Sequence, residues 1–228
     1  MFIDQWYVIL VLPAIILSLW ASANVNSTFR KFSSVMSRRG ITGAESARRV
    51  LEANGVYGVR IEHVSGNLTD HFDPRSNTIR LSDSVYSSTS VAAIGVAAHE
   101  AGHAVQYAKG YAPMKIRSAI IPITNIGSNL AMPLVLVGIL LSMPALAELG
   151  VLAFSFSTLF QLITVPVEFN ASSRAITAIV NSSADENEVN GAKKVLKAAA
   201  LTYVAALAVS LANLLRLIMI VNGGRRRD

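Results

Sequence analysis

Four apolar runs decide what this chain can fold into. They cover about Gln5–Ala23, Leu130–Leu146, Leu149–Val167 and Ala198–Val221, which is 17 to 24 residues each. Wound as helices, runs of this length match the hydrocarbon core of a bilayer, and the shorter ones sit at the low end of what spans it. Inside lipid every backbone N–H and C=O has to be bonded within the segment, so helices are the expected form. Trp6 and Trp20 stand near the two ends of the first run, where an aromatic belt places them. That run lacks the basic start of a secretory signal, and Asp4 is its only preceding charge. Although Ala21-Ser22-Ala23 imitates a cleavage site, the chain goes on into further spans, so the run is expected to stay as a membrane helix.

Composition supports this reading through its unevenness. Hydrophobic residues make up 52% of the 228 and charged residues 15%, where a soluble domain carries about 25% charged. The deficit lies in the apolar runs, while Val25–Arg117 reads as ordinary globular sequence. The expected organisation is therefore residues 1–24 as a first transmembrane helix and 25–117 as an α+β domain. Residues 118–167 form a lead-in interrupted by Pro122, Asn125, Asn129 and Pro133, then a transmembrane hairpin turning near Glu148. A polar segment, 168–197, leads to a fourth helix and basic tail, 198–228. The fold class is thus membrane, mainly α, with about four spans and one small α+β insert.

Orientation follows from charge. The insert and the segment after Val167 share one side of the membrane and hold 16 of the 20 Lys and Arg residues. The positive-inside rule puts that side in the cytoplasm, although Arg225, Arg226 and Arg227 then face outward. A net charge of +6 in this setting reflects orientation, so no nucleic-acid partner is expected. The expected surroundings are lipid, with the α+β insert on the cytoplasmic side.

Within the insert, Thr42 and Glu45 have the spacing of a capping box, opening a helix that ends at Asn54-Gly55. Strand-like runs follow at Val59–Val64, Leu68–Phe72 and Thr78–Ser82, the last two joined as a hairpin through the turn residues Asp73 to Asn77. Thr78–Ser82 reads as an edge strand able to pair with an extended peptide. Ser88–Ser90 offers an N-cap for a helix over Val91–Lys109, stopped by Gly110.

That helix carries His99-Glu100-Ala101-Gly102-His103. Two histidines four residues apart project from one helical face and can reach a single Zn²⁺ at about 2.0–2.1 Å. Glu100 points to a neighbouring position, where it can take a proton from zinc-bound water. Given this chain's His and Glu content, a chance match has a probability of roughly 0.2%. With no cysteine present, the metal must be held by His, Asp or Glu. A catalytic zinc takes three protein ligands and leaves one position open. No histidine follows Gln106, so the third ligand is a carboxylate, or His63 or His71 from upstream. Glu168 is the best placed, standing where the third run ends. Arg174 and His71 are candidates for stabilising an oxyanion, and Asp73 stands with His71 beside the hairpin turn as a candidate substrate contact. Gln106 and Tyr107 read as packing residues, His63 as a strand residue with no evident partner, and Arg216 as a membrane Arg that snorkels.

Four segments carry a resemblance: Leu68-Thr69-Asp70-His71-Phe72-Asp73-Pro74, the run from His99 to Gln106, Pro166-Val167-Glu168-Phe169, and Gly191-Ala192-Lys193-Lys194-Val195-Leu196. Taken together, in order and over nearly the whole chain, they resemble the bacterial membrane zinc metallopeptidases of the YugP type. More distantly the chain is similar to the HtpX-like and CAAX-prenyl endopeptidases, in which a second helix bears E-x-x-A-D. Here that motif reads Glu168-Phe169-Asn170-Ala171-Ser172, with Ser in place of Asp. The resemblance implies a gluzincin-like zinc domain with His99, His103 and Glu168 as ligands and Glu100 as base. It also implies an endopeptidase, and a third ligand at the end of a membrane run puts the expected site near the bilayer surface, where membrane-associated protein or peptide substrates are expected. The alternative is a zinc-binding scaffold or regulator without hydrolytic activity, for which an intact Glu100 has no use. A transporter is the weaker rival, since apart from Arg216 the spans lack charged groups.

Overall fold

The computed structural model describes residues 4–182 and 184–224, and the basic cluster Arg225 to Arg227 lies outside them. A π-helical turn, Tyr7–Val11, leads into α1 (Leu12–Ser33). Then come α2 (Gly43–Ala53), β1 (Arg60–Val64), β2 (His71–Asp73), β3 (Thr78–Ser82) and α3 (Val91–Ala108). Three long helices complete the chain: α4 (Ala112–Leu140), α5 (Pro144–Asn181) and α6 (Glu186–Gly224). Among the described residues four helices are long and apolar enough to cross a membrane: Tyr7–Ser33, Ala112–Leu140, Pro144–Asn181 and Glu186–Gly223. The molecule is a mainly helical membrane protein with one small sheet.

The chain forms two compact units. One comprises residues 1–21, 115–166 and 202–228, the other residues 22–114 and 167–201. In the first, α4 and α5 pack through small residues. A Cβ on Gly127 would meet the Ala153 carbonyl at 2.7 Å, one on Gly138 the Ala147 backbone, and one on Gly150 the Ala131 carbonyl at 2.7 Å. Close backbone approach of this kind is how helices associate where the solvent is as apolar as the side chains. A second contact joins the ends of the chain: Arg216 is 6% exposed and its Nη2 lies 2.6 Å from Asp4 Oδ2, with the Tyr7 ring 5.2 Å from its guanidinium carbon. The snorkelling expected of Arg216 is therefore replaced by an internal ion pair.

Two expectations for this unit are corrected. There is no separate lead-in before the second span, because α4 runs unbroken from Ala112 through both Pro122 and Pro133. Proline costs a helix one bond in water. In lipid a full break exposes many more backbone groups, so the helix persists. Nor does the hairpin turn near Glu148, which lies inside α5. It turns at Leu141–Met143, where Ser142 adopts φ +52°. Ser142 N–H donates to Ile139 O at 3.2 Å and Met143 N–H to Gly138 O at 2.7 Å. This is a Schellman closure with serine in the position glycine usually takes. Pro144 then opens α5, where its missing N–H costs nothing.

In the second unit, the sequence signals for α2 hold. Thr42 Oγ1 accepts from Glu45 N–H, and the Glu45 side chain accepts from Thr42 N–H, closing the capping box. Gly55 ends the helix at φ +67°. The sheet order is β1-β3-β2, with β1 parallel and β2 antiparallel to β3. β3 is thus the central strand, not an edge, and Thr78, Ile79, Leu81 and Ser82 are all buried. β3 is not an edge because β1 pairs directly with its other side, although β2 separates the two in sequence. β2 is also shorter than the Leu68–Phe72 run. Leu68 takes φ +54° and Asp70 caps β3 by accepting from Ser82 N–H and Oγ–H, so pairing starts only at His71. The hairpin turn forms as expected, with Asp73 accepting from Arg75 N–H and Ser76 Oγ.

Ile79, Leu81, Val50, Leu51, Ile94 and Val105 anchor the core that joins this sheet to α2 and α3. Burying each such side chain stabilises by about 1.5–3 kcal/mol. Ser90 caps α3 by accepting from Ala93 N–H, and Gly110 terminates it at φ +65°. Residues 168–197 are helical apart from a short break, since α5 continues to Asn181 and α6 begins at Glu186. Glu188, buried, accepts from Ser37 Oγ, Arg38 N–H and Arg39 Nε, which pins the chain after α1 to the start of α6.

Candidate metal centre

The interior face of α3 meets the part of α5 that lies in the same unit. Gly102 makes this possible: a Cβ there would stand 2.7 Å from the Ala171 carbonyl oxygen, so only glycine allows the backbones this close. The approach brings His99 and His103, whose rings lie edge to face at 4.6 Å between centroids, against Glu168. Glu168 Oε2 is 3.1 Å from His99 Nε2 and 3.3 Å from His103 Nε2. All three side chains are buried, Glu168 to 1% exposure, and their donor atoms lie within 4.8 Å of one another. Among the described residues this is the only such cluster of His, Cys, Asp and Glu.

These residues fit a zinc ion. Two imidazole nitrogens and one carboxylate oxygen form the donor set of many catalytic zinc sites, and three protein ligands leave one position open. The outward nitrogens of both rings have protein partners. His99 Nδ1 lies 3.1 Å from Ser172 Oγ, and His103 Nδ1 lies 3.0 Å from Gln106 Oε1. Both Nε2 atoms therefore turn toward Glu168, the arrangement metal-binding histidines need. Burial pushes the His103 imidazole down in pKa. Glu168 beside it more than offsets this, with smaller help from Glu100 and Gln106, and holds it above the usual histidine range.

Glu100 is buried next to this cluster, near enough to His103 for the two to interact electrostatically. Among the described residues no hydrogen bond or ion pair engages its carboxylate. A carboxylate in that state is open to a water molecule.

Other residues singled out from sequence fall elsewhere. His63 pairs with Asp83 on an exposed face, and exposed His71 directs Nδ1 to the Thr69 carbonyl at 2.8 Å. Asp73 is engaged by Ser76 and Arg80, whose guanidinium lies 3.1 Å away. Neither His63 nor His71 joins the metal cluster. Arg174 Nε donates to Asn170 Oδ1 at 2.8 Å. Tyr107 packs on Phe72, whereas Gln106, read from sequence as packing, is fully buried and hydrogen-bonded at both ends of its amide. Its spacing was the available signal: position i+3 from His103 lies on the same helical face one turn further along.

The architecture is that of a helical membrane protein with a buried His-His-Glu group able to hold a metal ion. Comparison with known proteins supports this directly. Residues 7–222 match the family described as "Putative neutral zinc metallopeptidase", and the chain belongs to that family. It is 50% identical over 220 residues to the protein named "Putative membrane protease YugP" from Bacillus subtilis (strain 168), covering 96% of this chain and 98% of that one. No solved structure matches the chain. The family is one of zinc peptidases, and the cluster on α3 and α5 is the group that can hold the ion.

Proposed function

We propose that the protein is a zinc-dependent endopeptidase of membrane-associated substrates, with His99, His103 and Glu168 as zinc ligands and Glu100 as general base. The observation that carries this reading is the convergence of both Nε2 atoms on Glu168, with Glu100 buried beside them. Zinc held by these residues would supply Lewis acidity for the scissile carbonyl and would acidify the attacking water. Glu100 removes a proton from that water as its oxygen attacks the carbonyl carbon. The same carboxyl then passes the proton to the departing amine nitrogen as the C–N bond breaks. Gln106 and Ser172 hold the two imidazoles in orientation throughout. Arg174, an oxyanion candidate by sequence, is engaged in holding Asn170.

The charge distribution supports a cytoplasmic location for residues 25–117 and 168–197, with 1–24, 118–167 and 198–228 supplying the spans of a multi-pass cytoplasmic-membrane protein. Glu168 follows the third apolar run directly in sequence. Substrates anchored in or lying on the membrane suit a ligand so placed.

The test is metal content and casein hydrolysis on detergent-purified protein, wild type beside Glu100→Ala. Zinc near one per chain in both, with cleavage lost only in the variant, is the expected result. Zinc retained with no cleavage by wild type on casein or on membrane-embedded substrates favours the non-hydrolytic scaffold. Folded protein without stoichiometric zinc overturns the proposal.

A further inference from the structure

Gln106 has an amide whose two ends can be told apart by their partners. Its Nε2 lies 2.8 Å from the Val167 carbonyl oxygen, an acceptor only, and 3.0 Å from Asn170 Oδ1. The Asn170 oxygen is itself identified by Arg174, whose Nε can only donate to it, at 2.8 Å. Nitrogen must therefore face α5, and the oxygen of Gln106 must face His103 Nδ1, 3.0 Å away. An amide oxygen cannot donate, so Nδ1 carries the hydrogen, and in the neutral ring that binds a metal Nε2 holds the lone pair. The Ser172 hydroxyl on His99 imposes no such choice, because it can donate or accept. Val167 and Asn170 also bracket Glu168, so one fully buried side chain braces a ligand on α3 against the turn that carries the ligand on α5.

We infer that Gln106 is a positioning residue for the metal centre: held by Val167, Asn170 and Arg174, it fixes the Nδ1–H form of His103 and locks the His103–Glu168 spacing. The inference rests on the zinc reading above. It adds that the ligand set is incomplete in function without an uncharged amide at 106 and the Arg174–Asn170 pair behind it. A residue that only fills space there would be replaceable by an apolar side chain of the same volume.

The experiment compares wild type, Gln106→Met and Arg174→Met in detergent. Zinc affinity is read by chelator competition, geometry by the visible spectrum of the Co²⁺-loaded protein, and the His103 tautomer by ¹⁵N chemical shifts. Gln106→Met keeps volume and is expected to weaken zinc by about 10–100-fold, the usual cost of removing a ligand's hydrogen-bond partner. It should also alter the cobalt spectrum and mix the tautomers. Arg174→Met, which leaves the interior intact, is expected to shift all three readouts in the same direction by a smaller amount. Wild-type affinity and spectrum in folded Gln106→Met overturn the inference. Should that variant not fold, wild-type values in Arg174→Met overturn it instead. Zinc bound by wild type but unaffected by the variants sinks this inference alone, whereas wild type that binds no zinc sinks the reading beneath it.

Discussion

Gly102 faces the Ala171 carbonyl so closely that a methyl group on it would stand 2.7 Å from that oxygen. The obstruction is backbone, which cannot rotate aside as a side chain does. Gly102→Ala is therefore expected to push α3 from α5 and open the distance between the histidines and Glu168. Alanine gains about 1 kcal/mol of helix propensity over glycine, but overpacking costs typically about 1–3 kcal/mol. The net expectation is modest destabilisation with a disproportionate loss of zinc affinity. Chelator competition beside thermal unfolding checks it, and an unchanged affinity would show that the close approach does not set the site.

Glu168→Gln keeps shape and removes charge. The carboxylate lies 3.1 and 3.3 Å from the two Nε2 atoms and is the only acidic member of the cluster. An amide oxygen is a poor zinc ligand, so affinity should fall by more than the roughly 100-fold that bounds loss of an outer partner. Stoichiometric zinc in purified Glu168→Gln would show the ligand assignment to be wrong. His99→Ala should behave similarly, while Glu100→Ala should keep its zinc.

How much of this was legible in the sequence depends on the range of the forces involved. α2 and α3 could be read because Thr42, Glu45, Ser90 and Gly110 act within one helical turn. The two histidines were legible for the same reason. β3 was located to the residue but given the wrong neighbour, because its parallel pairing with β1 is not local. Pro122 and Pro133 misled through a rule that belongs to water, and the turn at Ser142 was hidden because serine occupies a position where glycine is the usual signal. Gln106 escaped for another reason. Its place three residues after His103 was the local signal, but its partners Val167 and Asn170 lie more than sixty residues away, so spacing alone does not tell a hydrogen-bonded buried amide from a packed one.

The metal centre should make stability depend on pH in opposite senses with and without zinc. In the metal-free chain the folded-state pKa of His103 is raised. Its contribution to stability is then fully present below the unfolded value of about 6.5 and is lost as pH rises through the folded value. Zinc binding requires the neutral imidazole, so the metal's contribution grows over the same rise. Thermal midpoints measured with zinc and with excess chelator, between about pH 5 and 9, should therefore diverge as pH increases. Parallel curves would show that no proton is displaced when the metal binds.

Asp4 and Arg216 tie the first membrane helix to the last, with Arg216 Nε and Nη2 donating to Asp4 Oδ2 at 2.8 and 2.6 Å. Arg216 is buried and Asp4 partly open, so the two single substitutions should not cost the same. Asp4→Ala removes one carboxylate partner from a buried guanidinium and is expected to destabilise the unit. Arg216→Met leaves a carboxylate that still reaches solvent or headgroups, and should cost less. The double variant removes both charges together and should be more stable than the sum of the single losses implies, by at least about 1 kcal/mol of coupling. Unfolding in mixed micelles across the four proteins measures that coupling directly, and additive losses would show the pair to be two independent charges. Zinc affinity should stay near wild type in all four, because neither residue touches His99, His103, Glu168 or Gln106.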